Sequence, residues 1–176
     1  WAQHEVDELA LRIGVLGLGH LGMDAALKLH QLGFDVLGYS TSAKKTPFPS
    51  YHGNALSTFL ASINVLICVL PLTPHTKGFL NQSLFEQLKQ PTYLINVSRG
   101  GVQVEKDILT ALDKGQLSGA FLDVFEQEPL PQESALWAHP KIKLTPHIAS
   151  LTREKASVQQ VLENIKRLET GTPLLH

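Results

Sequence analysis

A doubly wound, three-layer α/β/α sandwich on a parallel sheet is the fold class this sequence predicts, on three observations. Short runs apolar on both faces alternate with amphipathic helical stretches, and strands of that kind belong to parallel sheets covered on both sides. The alternation supplies six strands within 176 residues, the rhythm of a Rossmann-type fold. The first strand runs into Gly17-Leu18-Gly19-His20-Leu21-Gly22, a Gly-x-Gly-x-x-Gly turn that opens a helix.

Residues 11–16 are expected as the first buried strand. A helix over 20–32 follows, with Leu21, Ala25, Leu29 and Leu32 at helical spacing and Gly33 as its stop. Residues 34–39 form the second strand, followed by a polar, Pro-containing loop through Ser50. A short helix over 56–63 leads to the third strand, 65–70, which ends at Pro71. Residues 80–88 read as a helix with Asn81 as its cap, and 93–97 as the fourth strand. A helix over 104–114 closes at Gly115 before the fifth strand, 119–124. A Pro-rich loop over 126–140 precedes a short sixth strand, 142–145, and 152–168 is the final helix.

Composition narrows the function classes. Hydrophobic content of 43% and charged content of 18% are ordinary for a soluble globular domain. The net charge is -1 and the basic residues are scattered, which speaks against nucleic acid as a partner. Cys68 is the one cysteine and lies in the run Val65-Leu66-Ile67-Cys68-Val69-Leu70, so it reads as a buried core thiol. No run reaches the ~18 apolar residues of a membrane span, and no signal-peptide pattern opens the chain. A cytoplasmic protein away from membranes is expected, and no residue is assigned to a metal.

The glycines of the turn have separate tasks. The first permits the tight turn, the second lets backbone N–H groups approach a pyrophosphate, and the third lets helix and strand pack closely. The helix start adds unpaired donors and a positive dipole end. In NAD-binding versions a carboxylate at the end of the second strand takes the ribose hydroxyls. Here that stretch reads Tyr39-Ser40-Thr41-Ser42-Ala43-Lys44-Lys45, with no acid. Hydroxyls from Ser40 or Thr41 and the ammonium of Lys44 accept a 2'-phosphate that a carboxylate would repel. NADP(H) is the expected preference, with NAD(H) possible; the plain alternative makes Lys44 and Lys45 a solvated loop pair.

Three polar segments follow the last three strands, at the carboxyl edge where such sheets bind ligands. They are Asn96-Val97-Ser98-Arg99-Gly100-Gly101, Asp123-Val124-Phe125-Glu126-Gln127-Glu128-Pro129 and Pro146-His147-Ile148-Ala149. With the phosphate turn and Pro71-Leu72-Thr73-Pro74-His75-Thr76, they make the chain resemble the D-isomer-specific 2-hydroxyacid dehydrogenases over essentially its whole length. Within that family it is most similar to glyoxylate/hydroxypyruvate reductases, through the serine after the second strand and Glu128-Pro129-Leu130-Pro131-Gln132-Glu133-Ser134 with Leu136-Trp137. Thr41 and Ala43 depart from that group's usual arginine-containing loop.

The resemblance implies roles. His147 is the general acid that gives a proton to the ketone oxygen, a task for a group whose ordinary pKa is about 6.5. Glu128 orients the imidazole, and Arg99 grips the substrate carboxylate with a planar donor fork. Asp123 meets the nicotinamide carboxamide. Leu70, Pro71, Thr76, Val97, Ser98 and Ala149, with Arg99 and His147, line the cofactor cleft beside residues 17–22. The resemblance also implies a small 2-ketoacid or 2-hydroxyacid as substrate and a homodimer.

Plainer readings stand beside these. A His after Pro is often a surface turn, Arg99 suits a surface ion pair, and Glu126 competes with Glu128 as partner of His147. A corepressor-like nucleotide sensor and a phosphoglycerate or lactate type of dehydrogenase are the alternative functions. The early position of the turn predicts one dinucleotide-binding domain over 1–176, a piece of a larger enzyme. Residues 1–10 are then an interdomain helix remnant, and 151–176 a C-terminal helix directed toward a substrate domain outside the chain. Such a piece binds cofactor and turns over poorly.

Overall fold

The computed structural model describes residues 10–150 and 154–175, with the backbone alone for 154–156. Seven strands form one parallel sheet: β1 (Arg12–Leu16), β2 (Asp35–Ser40), β3 (Ser50–His52), β4 (Val65–Cys68), β5 (Thr92–Asn96), β6 (Leu117–Leu122) and β7 (Ile142–Leu144). The helices are α1 (His20–Gln31), α2 (Leu56–Leu60), α3 (Gln82–Phe85), α4 (Glu105–Asp113) and α5 (Glu154–Glu169). The strand order is β3-β2-β1-β4-β5-β6-β7. The chain winds outward from β1 in both directions, so the carboxyl ends of β1 and β4 flank the point where the winding reverses.

Each face of the sheet has its own core. Side chains alternate along a strand, so Val15 packs with Ala26 of α1, Val36 and Phe48, whereas Leu16 packs with Phe59 and Leu60 of α2 and with Phe85, Ile108 and Leu112. Val15, Leu16, Leu66 and Leu94 are wholly buried, as strands covered on both sides require.

The α1 helix faces the sheet with Gly22, Met23, Ala26 and Leu29, while Leu21 and Leu32 of the expected stripe are exposed. The physical reason is Gly22: a Cβ there would lie 1.8 Å from the Gly17 carbonyl oxygen. That approach fixes which side of the helix meets the turn.

The sheet has one strand more than the six expected. Ser50–His52 is short, polar and at the edge, pairing with β2 alone. Residues expected in a helix from 56 to 63 stop at Leu60, and α3 is a single turn rather than a helix over 80–88. Gly33 and Gly115 close α1 and α4 with φ of +95° and +74°, a left-handed conformation that favours glycine. The expected remnant over residues 1–10 lies, up to residue 9, outside the described residues, as does the expected start of the last helix at Thr152.

On α5, Val158, Val161, Leu162, Ile165 and Leu168 form an exposed apolar stripe. The tail folds back on this helix through paired hydrogen bonds between Asn164 and Leu175. No helix among the described residues is long and apolar enough to cross a membrane.

Asn81 caps α3: its Oδ1 accepts from the Leu84 N–H at 3.1 Å and its Nδ2 donates to the Gly78 carbonyl at 2.7 Å. We predict that Asn81→Ala lowers stability by about 1 kcal/mol in urea unfolding, the usual cost of a lost N-cap.

Candidate active site

The carboxyl ends of β1, β2, β4, β5, β6 and β7 carry the expected groups, beginning with the glycine turn. Gly17 has φ of +105°, and a Cβ there would meet the Val69 carbonyl oxygen at 2.9 Å. Gly19 differs: a Cβ there would meet nothing within 4 Å. The first glycine and Gly22 are needed to avoid collision, while Gly19 leaves open space above the turn. No side chain caps α1 and no acidic residue occupies its first turn, so its leading N–H groups and positive end face that space. A pyrophosphate fits this cradle. Leu18 is buried, so only its backbone is available there, whereas His20 and Leu21 are exposed beside the turn.

At the end of β2, Ser40 Oγ donates to the Ser42 carbonyl at 2.7 Å, curling the loop back. Residues 41–45 are exposed, and among the described residues neither Lys44 nor Lys45 pairs with a carboxylate. Thr76 serves its own loop: its hydroxyl donates to the Pro71 carbonyl at 2.5 Å and accepts from the Thr73 N–H at 2.8 Å. Leu70 and Val97 are half-buried, and Pro71 is exposed.

The Arg99 turn rests on a buried polar chain that sequence reasoning missed. Asn96 Oδ1 accepts from both the backbone N–H and the hydroxyl of Ser98, at 3.0 and 2.7 Å. Asn96 Nδ2 donates to Gln103 Oε1 at 2.7 Å, and Gln103 Nε2 donates to the Val124 carbonyl at 3.0 Å. Cys68 Sγ lies 3.5 Å from Ser98 Oγ, and burial pushes its thiol pKa up. Gly100 lets this turn pass β6's exit, since a Cβ would lie 1.6 Å from the Phe125 carbonyl oxygen. The Arg99 side chain is exposed and donates to the Ser98 carbonyl at 2.6 Å, and no ion pair ties it down among the described residues. A polar residue interrupting Val102-Gln103-Val104 was the signal available for Gln103.

Asp123 is 1% exposed, and its carboxylate organises the loop after β7. Oδ1 accepts from the Thr145 hydroxyl at 2.5 Å and the Ile148 N–H at 2.8 Å, and Oδ2 from the Ala149 N–H at 2.9 Å. Burial pushes the Asp123 pKa upward, but those three donors and the nearby His147 outweigh it and hold it below the usual range. The expectation paired Asp123 with the nicotinamide carboxamide; in this structure the carboxylate is turned into the 145–149 loop.

His147 sits at the crest of that loop with φ of +55°, a conformation that costs a non-glycine residue roughly 1–3 kcal/mol. Its Nδ1 meets Glu128 Oε2 at 2.8 Å. Glu128 Oε1 accepts from the Phe125 N–H at 3.0 Å, so the carboxylate is braced on both oxygens. Burial opposes ionisation of Glu128 as well, and the hydrogen bonds from His147 and Phe125 hold its pKa below the ordinary value. Glu126 is engaged elsewhere: it exchanges hydrogen bonds with Glu105 at the start of α4, at 2.9 and 2.8 Å.

Beside this pair opens a cavity of about 610 Å³, lined by His147, Glu128 and apolar groups including Phe125, Leu130, Trp137 and Leu144. Arg99 does not line it. Among the described residues no three His, Cys, Asp or Glu side chains converge to hold a metal ion. Chemically, the edge offers an anion cradle, a free guanidinium and an oriented imidazole.

The model of the D-isomer specific 2-hydroxyacid dehydrogenase family, NAD binding domain, matches residues 2–149. A glyoxylate/hydroxypyruvate reductase A from Klebsiella pneumoniae (strain 342) is 44% identical over 174 residues, covering 98% of this chain and 55% of that protein. One from Photorhabdus laumondii is 46% identical, covering 97% of this chain and 56% of that protein. The chain thus spans little more than half the length of these relatives. Among solved structures, the NADPH-dependent glyoxylate/hydroxypyruvate reductase from Sinorhizobium meliloti, in complex with NADP and sulfate, superposes with a TM-score of 0.94 at 42% identity. That match covers 100% of this chain and 58% of the other.

The depressed carboxylates set an acid dependence. A group whose folded pKa lies below its unfolded value of about 4 stabilises fully above that range and loses its contribution as pH falls through the folded value. Urea unfolding between pH 7 and pH 3 should therefore show stability declining from about pH 5 downward. Asp123→Asn should flatten that decline and cost roughly 1–3 kcal/mol at pH 7, because its amide would oppose a backbone donor.

Proposed function

The chain belongs to the D-isomer specific 2-hydroxyacid dehydrogenases, as their NAD binding domain, and on that premise we propose an NADPH-preferring reductase of glyoxylate and hydroxypyruvate. The observation that carries the reading is the 2.8 Å contact between Glu128 and His147, on a loop held by Asp123 at the same carboxyl edge of the sheet as the glycine turn. The nicotinamide, when bound, supplies the hydride for the carbonyl carbon.

Gly17, Gly19 and Gly22, with the backbone of Leu18, His20 and Leu21, receive the pyrophosphate; Leu70, Pro71, Thr76, Val97, Ser98 and Ala149 line the rest of the cleft. Ser40, Thr41 and Lys44 take the 2'-phosphate, as hydroxyls and an unpaired ammonium suit a dianion. Arg99 binds the substrate carboxylate, which needs a permanent charge held in a fork. With Nδ1 engaged by Glu128, His147 presents Nε2 to the ketone oxygen and donates the proton there. Glu128 fixes the tautomer and the orientation of the imidazole ring. Asp123 positions this acid through the loop backbone and has one Oδ2 lone pair left for a carboxamide.

The chain covers 55% of a relative's length, and in this reading a separate substrate domain supplies the rest of the active site, with α5 directed toward it. The exposed apolar stripe of α5 supports that assignment. A cytoplasmic homodimer completes the proposal.

In the intact enzyme, His147→Ala should lower kcat for glyoxylate about 10²–10⁴-fold while leaving NADPH affinity within twofold. Unchanged turnover would refute the acid role. Direct titration should show tighter binding of NADPH than of NADH, and Lys44→Ala combined with Lys45→Ala should narrow the difference. Equal or tighter NADH binding in the unaltered protein would sink the cofactor preference.

A further inference from the structure

The buried chain from Ser98 to Val124 has a property the proposed chemistry leaves unused. Asn96, Ser98 and Gln103 are all under 5% exposed in a core that is mostly apolar. Neutral hydrogen bonds of this kind add little net stability over a well-packed apolar side chain, but they are directional. One end of the chain holds the turn that carries Arg99. The other end holds the carbonyl of Val124, next to the Asp123 carboxylate that grips the loop carrying His147.

We infer that Gln103 is a positioning residue that sets the separation of Arg99 from His147, by tying the Arg99 turn to the exit of β6. The inference rests on the roles proposed above for those two side chains. Only an uncharged carboxamide of this length meets both demands at once. Its Oε1 must accept from Asn96 Nδ2 and its Nε2 must donate to the Val124 carbonyl, at 2.7 and 3.0 Å. Methionine or leucine supplies neither bond, and asparagine lacks a methylene of reach. Gly100 adds a second constraint at the same crossing, where the Arg99 turn lies directly on the Phe125 backbone. A ketoacid bridging Arg99 through its carboxylate and His147 through its carbonyl oxygen needs that separation held closely.

The test uses Gln103→Met, similar in size and without the bonds. In the intact enzyme, KM for glyoxylate should rise about tenfold or more and kcat should fall, with NADPH affinity within twofold. A core control, Leu112→Ala, lowers the melting temperature without touching the chain and should leave KM unchanged. If Gln103→Met also lowers only the melting temperature, the inference is overturned. A second readout needs no turnover: amide hydrogen exchange in the 176-residue chain. Ser98, Ile148 and Ala149 should share one opening as denaturant is raised, and Gln103→Met should accelerate all three. Separate openings in the unaltered chain overturn the inference even if the variant does not fold. If the unaltered enzyme reduces no 2-ketoacid, the proposed function fails, and exchange alone then decides the tie.

Discussion

Under the surface at the exit of β6, the Asp123 carboxylate accepts from one hydroxyl and two backbone N–H groups, and the chain from Thr145 to Ala149 is shaped around it. An ionised carboxylate at 1% exposure is costly unless its lone pairs are met. Charge-assisted bonds are roughly twice as strong as neutral ones, so meeting them also organises the donors. His147 holds its left-handed backbone because its neighbours at 145, 148 and 149 are pinned on either side. The imidazole then reaches Glu128, which is braced by Phe125 two residues after Asp123. One buried charge thus sets the loop's path and the orientation of the His147 imidazole.

Much of the site is defined by places where backbone passes backbone. At Gly22 and Gly100 a Cβ would stand within 2 Å of a carbonyl oxygen. These two approaches seat α1 on the phosphate turn and the Arg99 turn on the β6 exit. Gly19 is the opposite case, with empty space where a side chain would stand. A sequence motif that looks uniform therefore combines two collisions avoided with one space left open. The difference explains why the helix turns Gly22 rather than Leu21 toward the sheet.

The parallel sheet and its carboxyl edge were legible because long apolar runs and Gly stops report them directly. Ser50-Tyr51-His52 was not, since three polar or aromatic residues at an edge carry no periodicity and owe their strand to pairing with β2. The exposed Leu21 and Leu32 mislead for a related reason: helical spacing finds an apolar stripe, while a tertiary contact decides which side is buried. Glu128 and His147 were nameable as partners through the family likeness, since both follow the carboxyl ends of strands, with Glu126 the competing carboxylate. The chain through Asn96 and Gln103 was hidden, as its members lie on different elements and meet only after the sheet has formed. Asp123 was singled out, yet its loop contacts depend on a turn whose shape it helps create.

Cys68, at the end of β4, is fully buried against the Ser98 hydroxyl, and it is the only thiol in the sequence. Burial keeps it protonated, so the nucleophilic thiolate is scarce in the native fold. A thiol-modifying reagent must wait for β4 and β5 to part. The chain therefore carries its own clock for opening at the junction between the glycine turn and the Arg99 turn, with a single covalent mark per molecule.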